Sequence, residues 1–104
     1  MAKSKRAKAC DISPRVKRKV WERDGGRCII CGNTQAMPNS HYIKRSRGGL
    51  GIEENVATMC MSCHHEYDNG YGERHERIKE QFKEYLESLY PEWNEEDLYY
   101  NKWA

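Results

Sequence analysis

Cys28 and Cys31, then Cys60 and Cys63, form two Cys-x-x-Cys pairs, and His64 follows directly on the last of them. Four thiolates at this spacing are the donor set of a tetrahedral structural zinc. Twenty-eight residues separate the two pairs, more than an ordinary zinc ribbon needs, and this insert carries His41, Asn55 and the basic run Lys44-Arg45-Ser46-Arg47. A histidine can take a proton from water, and lysine and arginine can hold phosphate. His64 and Asp68 are four residues apart on a predicted helix, so they share a face and can share a divalent cation. A base, a cation and phosphate-holding side chains are what hydrolysis of a phosphodiester requires.

The same spacing also fits a purely structural zinc module with an ordinary loop. Disulfides are the other use for paired cysteines, but they need an oxidising compartment. The basic residues 1–8 are not followed by the apolar run of a signal peptide, and no apolar stretch is long enough to span a membrane. The expected location is therefore cytoplasmic. With 104 residues, 38% hydrophobic and 33% charged, one small domain with a thin core is expected, and a metal staple would compensate for that core. Cys10 falls outside the scheme and reads as a bystander. The net charge of +2 hides an asymmetry: residues 1–49 carry thirteen Lys/Arg against three Asp/Glu, and residues 50–104 carry five against thirteen. One face suits a polyanion such as DNA and another stays solvated.

These residues need elements to position them. Residues 1–12 read as a flexible basic arm. Ser13 is a good N-cap and Pro14 suits the first helical turn, so a helix is expected from there to the stop at Asp24-Gly25-Gly26. Its apolar face is Val16, Val20 and Trp21, with Lys17, Arg18, Lys19 and Arg23 on the others. Residues 28–32 form a zinc knuckle, residues 41–43 a short strand, residues 46–51 a glycine-rich loop and residues 56–60 a second strand. A helix over 61–68 would carry Cys63 and His64. Residues 73–90 form an amphipathic helix with Ile78, Phe82, Tyr85, Leu86 and Leu89 on one stripe, stopped by Pro91. Asn94 caps a last short helix over 95–100, and Trp93, Leu98 and Trp103 pack back on the domain. The class is α+β, with a zinc-stapled core over 13–72 and a C-terminal helical extension over 73–104.

The segments Ser40-His41-Tyr42-Ile43-Lys44-Arg45-Ser46-Arg47-Gly48-Gly49 and Glu54-Asn55-Val56-Ala57-Thr58-Met59-Cys60-Met61-Ser62-Cys63-His64-His65 closely resemble the HNH endonucleases. The likeness covers about residues 14–70, and the whole chain looks like the short HNH proteins of phages and prophages. The resemblance implies the ββα-metal fold and metal-dependent hydrolysis of DNA, most simply double-stranded. It makes His41 the general base and Asn55 the residue that pins the loop and orients that base. It makes His64 the ligand of one catalytic cation (Mg2+, Mn2+, Ni2+ or Zn2+), with Asp68 as a second helical ligand. Cys28, Cys31, Cys60 and Cys63 would hold the structural Zn2+, and Lys44, Arg45 and Arg47 would hold phosphates. His65 is a neighbour and His75 lies outside the motif. One position departs from the family: the residue before the general base is usually a metal-binding Asp or His, and here it is Ser40. Lys44 stands where proline is common. The rival expectation is a non-catalytic zinc-stapled DNA-binding module, or an adaptor whose acidic helix docks a phage packaging or replication protein.

Overall fold

The computed structural model describes residues 3–101. The first surprise is at the start of the chain. The segment expected to be a flexible arm forms a helix, α1 (Lys5–Cys10), capped by Ser4, whose Oγ accepts from the Ala7 amide at 3.1 Å. Its last residue, Cys10, is buried. Low hydrophobicity predicted disorder, but the segment is held by contacts to residues far along the chain, which composition does not register.

The second helix, α2 (Pro14–Arg23), follows its sequence signals. Ser13 Oγ accepts from the Val16 amide at 3.2 Å, Pro14 fills the first turn, and Gly25 and Gly26 end it. Only Val20 on its apolar face is fully buried, and Trp21 is 41% exposed. Arg23, read as lying off the apolar face, has its side chain largely buried, at 14% exposure. It pairs with the buried Asp24 at 2.8 Å and donates to the carbonyls of Glu53 at 2.6 Å and Val56 at 2.7 Å. Its guanidinium also lies over the rings of Tyr85 and Tyr90. Asp24 in turn accepts from the Thr58 amide and the Tyr85 hydroxyl. Paired charges with this many partners tolerate burial, and this pair ties α2 to the sheet and to the C-terminal helix.

The sheet has two antiparallel strands, β1 (Ala36–His41) and β2 (Val56–Cys60). The strand expected over 41–43 thus lies earlier, and His41 is its last residue. The ladder stops there because the Ile43 amide is taken by the Asn55 side chain, with Oδ1 accepting at 2.8 Å. The register shifts by one between Met37↔Met59 and Ser40↔Ala57. Pro38 and Asn39 together face Thr58, a bulge at a residue that has no amide to give. The bulge decides which way the site points, because a one-residue slip exchanges the faces of every later side chain.

Helix α3 (Met61–Asn69) begins directly after β2, with Cys60 Sγ accepting from the Cys63 amide at 3.5 Å. Helix α4 (Glu73–Leu89) follows, and its Ile78, Phe82 and Leu86 are buried. They join one apolar cluster with Tyr42, Met59, Tyr67 and Leu98, so the C-terminal extension shares the core of the cysteine-bearing part. Phe82 meets the rings of Tyr42 and Tyr67 edge-on at 5.3 and 5.4 Å. The last predicted helix is a short 3-10 turn, Glu95–Leu98, capped by Asn94. Trp93 packs on the cluster and donates to the Glu54 carbonyl at 2.8 Å, whereas Trp103 lies outside the described residues. Among the described residues, no helix is long and apolar enough to cross a membrane.

Candidate functional site

The knuckle before β1 and the β2–α3 junction bring the four cysteines together. Gly32, at φ +79°, turns the chain, and its amide donates to the Cys28 carbonyl at 2.9 Å. The sulfurs of Cys28, Cys31, Cys60 and Cys63 all lie within 4.8 Å of one another, with Cys31 and Cys60 at 3.6 Å. A tetrahedron with metal–sulfur bonds of about 2.3 Å has edges of about 3.8 Å, so the set fits a single ion. All four are free thiols, and 3.6 Å is far beyond a disulfide bond. Burial raises the Cys28 thiol, but the amides of Cys31, Cys60 and Ile30 outweigh it and bring the group down to about 7. Burial and the neighbouring Cys60 push Cys63 upward. Cys28 is therefore the first of these two to offer a thiolate.

A second group of side chains lines a cleft of about 470 Å³ between the end of β1, the following loop and α3. His41, Lys44, Arg45, His64 and Asp68 all face it. His41 Nε2 lies 2.8 Å from the Cys10 carbonyl. A carbonyl only accepts, so Nε2 carries the proton and the lone pair of the neutral ring sits on Nδ1. Burial, helped by the charge of Arg45, holds His41 below the ordinary histidine range despite the Cys10 contact and the carboxylate of Asp68.

His64 is held the other way round. Its Nδ1 is 2.6 Å from Ser40 Oγ, and its Nε2 is 3.0 Å from Asp68 Oδ2. Two ligands at right angles on an ion at about 2.1 Å stand about 3.0 Å apart, so Nε2 and Oδ2 are spaced to share one cation. Ser40, the position where the resemblance to the HNH endonucleases breaks, is fully buried and shares a strand face with Ala57, against α3. Asn39 Oδ1, from the bulge at the cleft edge, is buried without a hydrogen-bond partner. Buried acceptors left open are uncommon.

Asn55 is buried and outside the cleft. Its Oδ1 accepts from the Ile43 amide at 2.8 Å, and its Nδ2 donates to the carbonyls of Ile43 at 3.2 Å and Leu50 at 2.8 Å. It thus clamps both ends of the loop that carries Lys44 and Arg45. Gly49 makes that clamp possible, since a Cβ there would fall 1.7 Å from the Ile43 carbonyl oxygen. Lys44 Nζ donates to the Asp68 carbonyl at 2.9 Å, joining the loop to α3. Arg45 is paired with Asp11, which Lys3 and Arg45 hold below the usual carboxylate range. Arg47 does not line the cleft. It faces a neighbouring groove with His75 and Lys79 of α4. His65 is exposed beside Asn69.

Cys10 read as a bystander and is instead buried with its carbonyl on His41, and Asp11 and Asn39 were not singled out by the sequence. The one signal that pointed to α1 was Gly51, where a Cβ would come 2.0 Å from the Asp11 carbonyl oxygen. A glycine at that place records a close approach by another part of the chain.

No family model matches the chain. Over 57 residues it is 30% identical to Anaredoxin of Nostoc sp. (strain PCC 7120 / SAG 25.82 / UTEX 2576), a stretch that covers 54% of this chain and 75% of that protein. With that identity over three quarters of the relative's length, the chain belongs to the family of Anaredoxin.

Proposed function

We propose that the protein is an HNH-type, metal-dependent DNA endonuclease of ββα-metal architecture, with a zinc in its four-cysteine site. The observation that carries this reading is the pair of oppositely fixed histidines in one basic cleft. His41 presents Nδ1 and is neutral at pH 7, which is what a base for water needs. His64 presents Nε2 beside a carboxylate at ligand spacing. A divalent cation held by His64 and Asp68 would offset charge on the scissile phosphate and the leaving 3′ oxygen. Lys44 and Arg45 hold the flanking phosphates, and Asn55 keeps their loop in place. The basic half of the sequence, residues 1–49, supplies Lys44 and Arg45 to the cleft, and its charge suits duplex DNA.

Ser40 acquires a function in this scheme. Asp68 only accepts, so as seen Nε2–H donates to it and Nδ1 accepts from the Ser40 hydroxyl. When Nε2 becomes a ligand, the proton belongs on Nδ1, and the same hydroxyl rotates to accept it. A serine serves both states; the usual carboxylate would serve only one. Ser40→Ala is expected to weaken Mn2+ binding about 10–100-fold without changing the metal content of the cysteine site. A Mn2+ titration that matches wild type would refute this.

The test of the function is conversion of supercoiled plasmid to nicked or linear DNA in Mg2+, Mn2+, Ni2+ or Zn2+, against an EDTA control. Plasmid that stays supercoiled under every ion would return the chain to the alternative of a binding or adaptor module. A second reading rests on the relative's name, whose ending is that of redox proteins. Four cysteine sulfurs can also hold a single iron and exchange an electron. Elemental analysis separates the two: one zinc per chain and no visible absorption supports the nuclease scaffold, and one coloured, reducible iron supports the redox centre.

A further inference from the structure

We infer that residues 4–11 are a working part of the site: their main chain at Cys10 holds the His41 ring in the position and tautomer in which Nδ1 can act. The inference rests on the nuclease reading above. Four contacts seat this segment. The Cys10 carbonyl faces His41 Nε2 at 2.8 Å. The Gly51 amide donates to the Ala9 carbonyl at 2.9 Å. Arg6 Nη2 donates to the Ser46 carbonyl at 3.3 Å, and Asp11 pairs with Arg45. Two of these partners, Ser46 and Arg45, belong to the loop on the cleft, so the segment grips both the base and the residues beside it. Cys10 is 2% exposed, and Gly51 is bare on the side where Asp11 passes.

The chemistry of the contact suits a base in turnover. With Nε2–H already committed to a carbonyl, the ring cannot rotate to present the other nitrogen without breaking a hydrogen bond. When Nδ1 takes the proton from water, the ring becomes an imidazolium, and the carbonyl dipole at Nε2–H favours that charge. Cys10 is thus a positioning residue acting through its backbone, in the place where other histidine bases use a carboxylate or carbonyl partner. Its thiol takes no part.

Gly51→Ala displaces the segment without altering any charge or cleft residue. The expected result is a fall in kcat of about 10–100-fold, the scale of a misplaced catalytic group, with plasmid affinity in EDTA and metal content unchanged. Alkylation of Cys10 by iodoacetamide in the metal-loaded protein reports that the segment has lifted, because the other four thiols are held by the ion. A proton resonance from the His41 ring Nε2–H, protected in wild type, should exchange with water in the variant. If Cys10 becomes reactive while kcat stays at the wild-type value, the inference is overturned. If Cys10 stays protected, removal of residues 2–11 decides: wild-type kcat at saturating DNA overturns the inference, and a comparable loss sustains it. Should wild type cut no DNA at all, the nuclease reading fails by itself. The ring resonance then still tests the contact, and its persistence after removal of the segment would refute it.

Discussion

A His41→Ala protein should leave plasmid supercoiled under conditions where wild type nicks it, with a rate loss of about 10²–10⁴-fold, the usual contribution of a general base. The fold should survive. His41 sits at the end of β1 and is only partly buried, and its loss costs one hydrogen bond to the Cys10 carbonyl, about 1 kcal/mol. Cooperative melting and one metal per cysteine site should therefore match wild type. Acid should act on the same group. The His41 pKa is lowered by burial, so the base form predominates at pH 7 and the cleavage rate should be flat there. It should fall about tenfold per unit only below the histidine reference of 6.5. An acid limb above that value, or one that persists in His41→Ala, would assign the base to another residue, and undiminished nicking by the variant would remove His41 from the mechanism.

Cys28→Ser should have the larger effect on the molecule itself. Metal binding at a four-cysteine site is largely folding free energy, on the order of 10 kcal/mol. That is comparable with the whole stability of a small domain, about 5–15 kcal/mol. Cys28 anchors the knuckle before β1, and Cys60 and Cys63 anchor the junction of β2 and α3, so the site joins both strands to the helix that carries His64. The variant should lose its metal, its cooperative thermal transition and its helical circular dichroism together. Cys10→Ser is the contrasting control: it is also buried but outside the metal set, and it should melt cooperatively with full metal content. A Cys28→Ser protein that is folded and metal-free would show that the apolar cluster around Phe82 suffices without the staple.

Local signals were legible wherever the physics is local. Ser13-Pro14 and Gly25-Gly26 bound α2 as expected, Ile78, Phe82 and Leu86 of the α4 stripe are buried as read while Tyr85 is half-buried and Leu89 exposed, and the two Cys-x-x-Cys pairs converge. Misreadings fall where distant residues decide. Arg23 read only as lying off the apolar face, because helical phase says nothing about Glu53, Val56 and Tyr90, which meet it only in the folded chain. β1 was placed too late because Pro38 and Asn39 break the alternation that marks a strand, while Tyr42 and Ile43, just past its end, are apolar because they enter the core. Residues 4–11 looked disordered because nothing in their composition reveals that His41, Ser46 and Gly51 await them. Ser40 looked like a missing ligand until its partner, 24 positions away, was known.

The extra residue in β1 works as a parity bit. Ser40 reaches α3 and His41 reaches α1 only because Pro38 and Asn39 share one partner on β2. Were each of the two to take a partner of its own, every cysteine, His41, Asn55 and His64 would still stand in the sequence, but Ser40 would come opposite Val56 and His41 opposite Asn55. The two side chains would then trade sides of the sheet, the hydroxyl facing the arm and the imidazole facing His64. The orientation of the cleft thus hangs on how two residues are paired, which no inspection of residue identities alone can see.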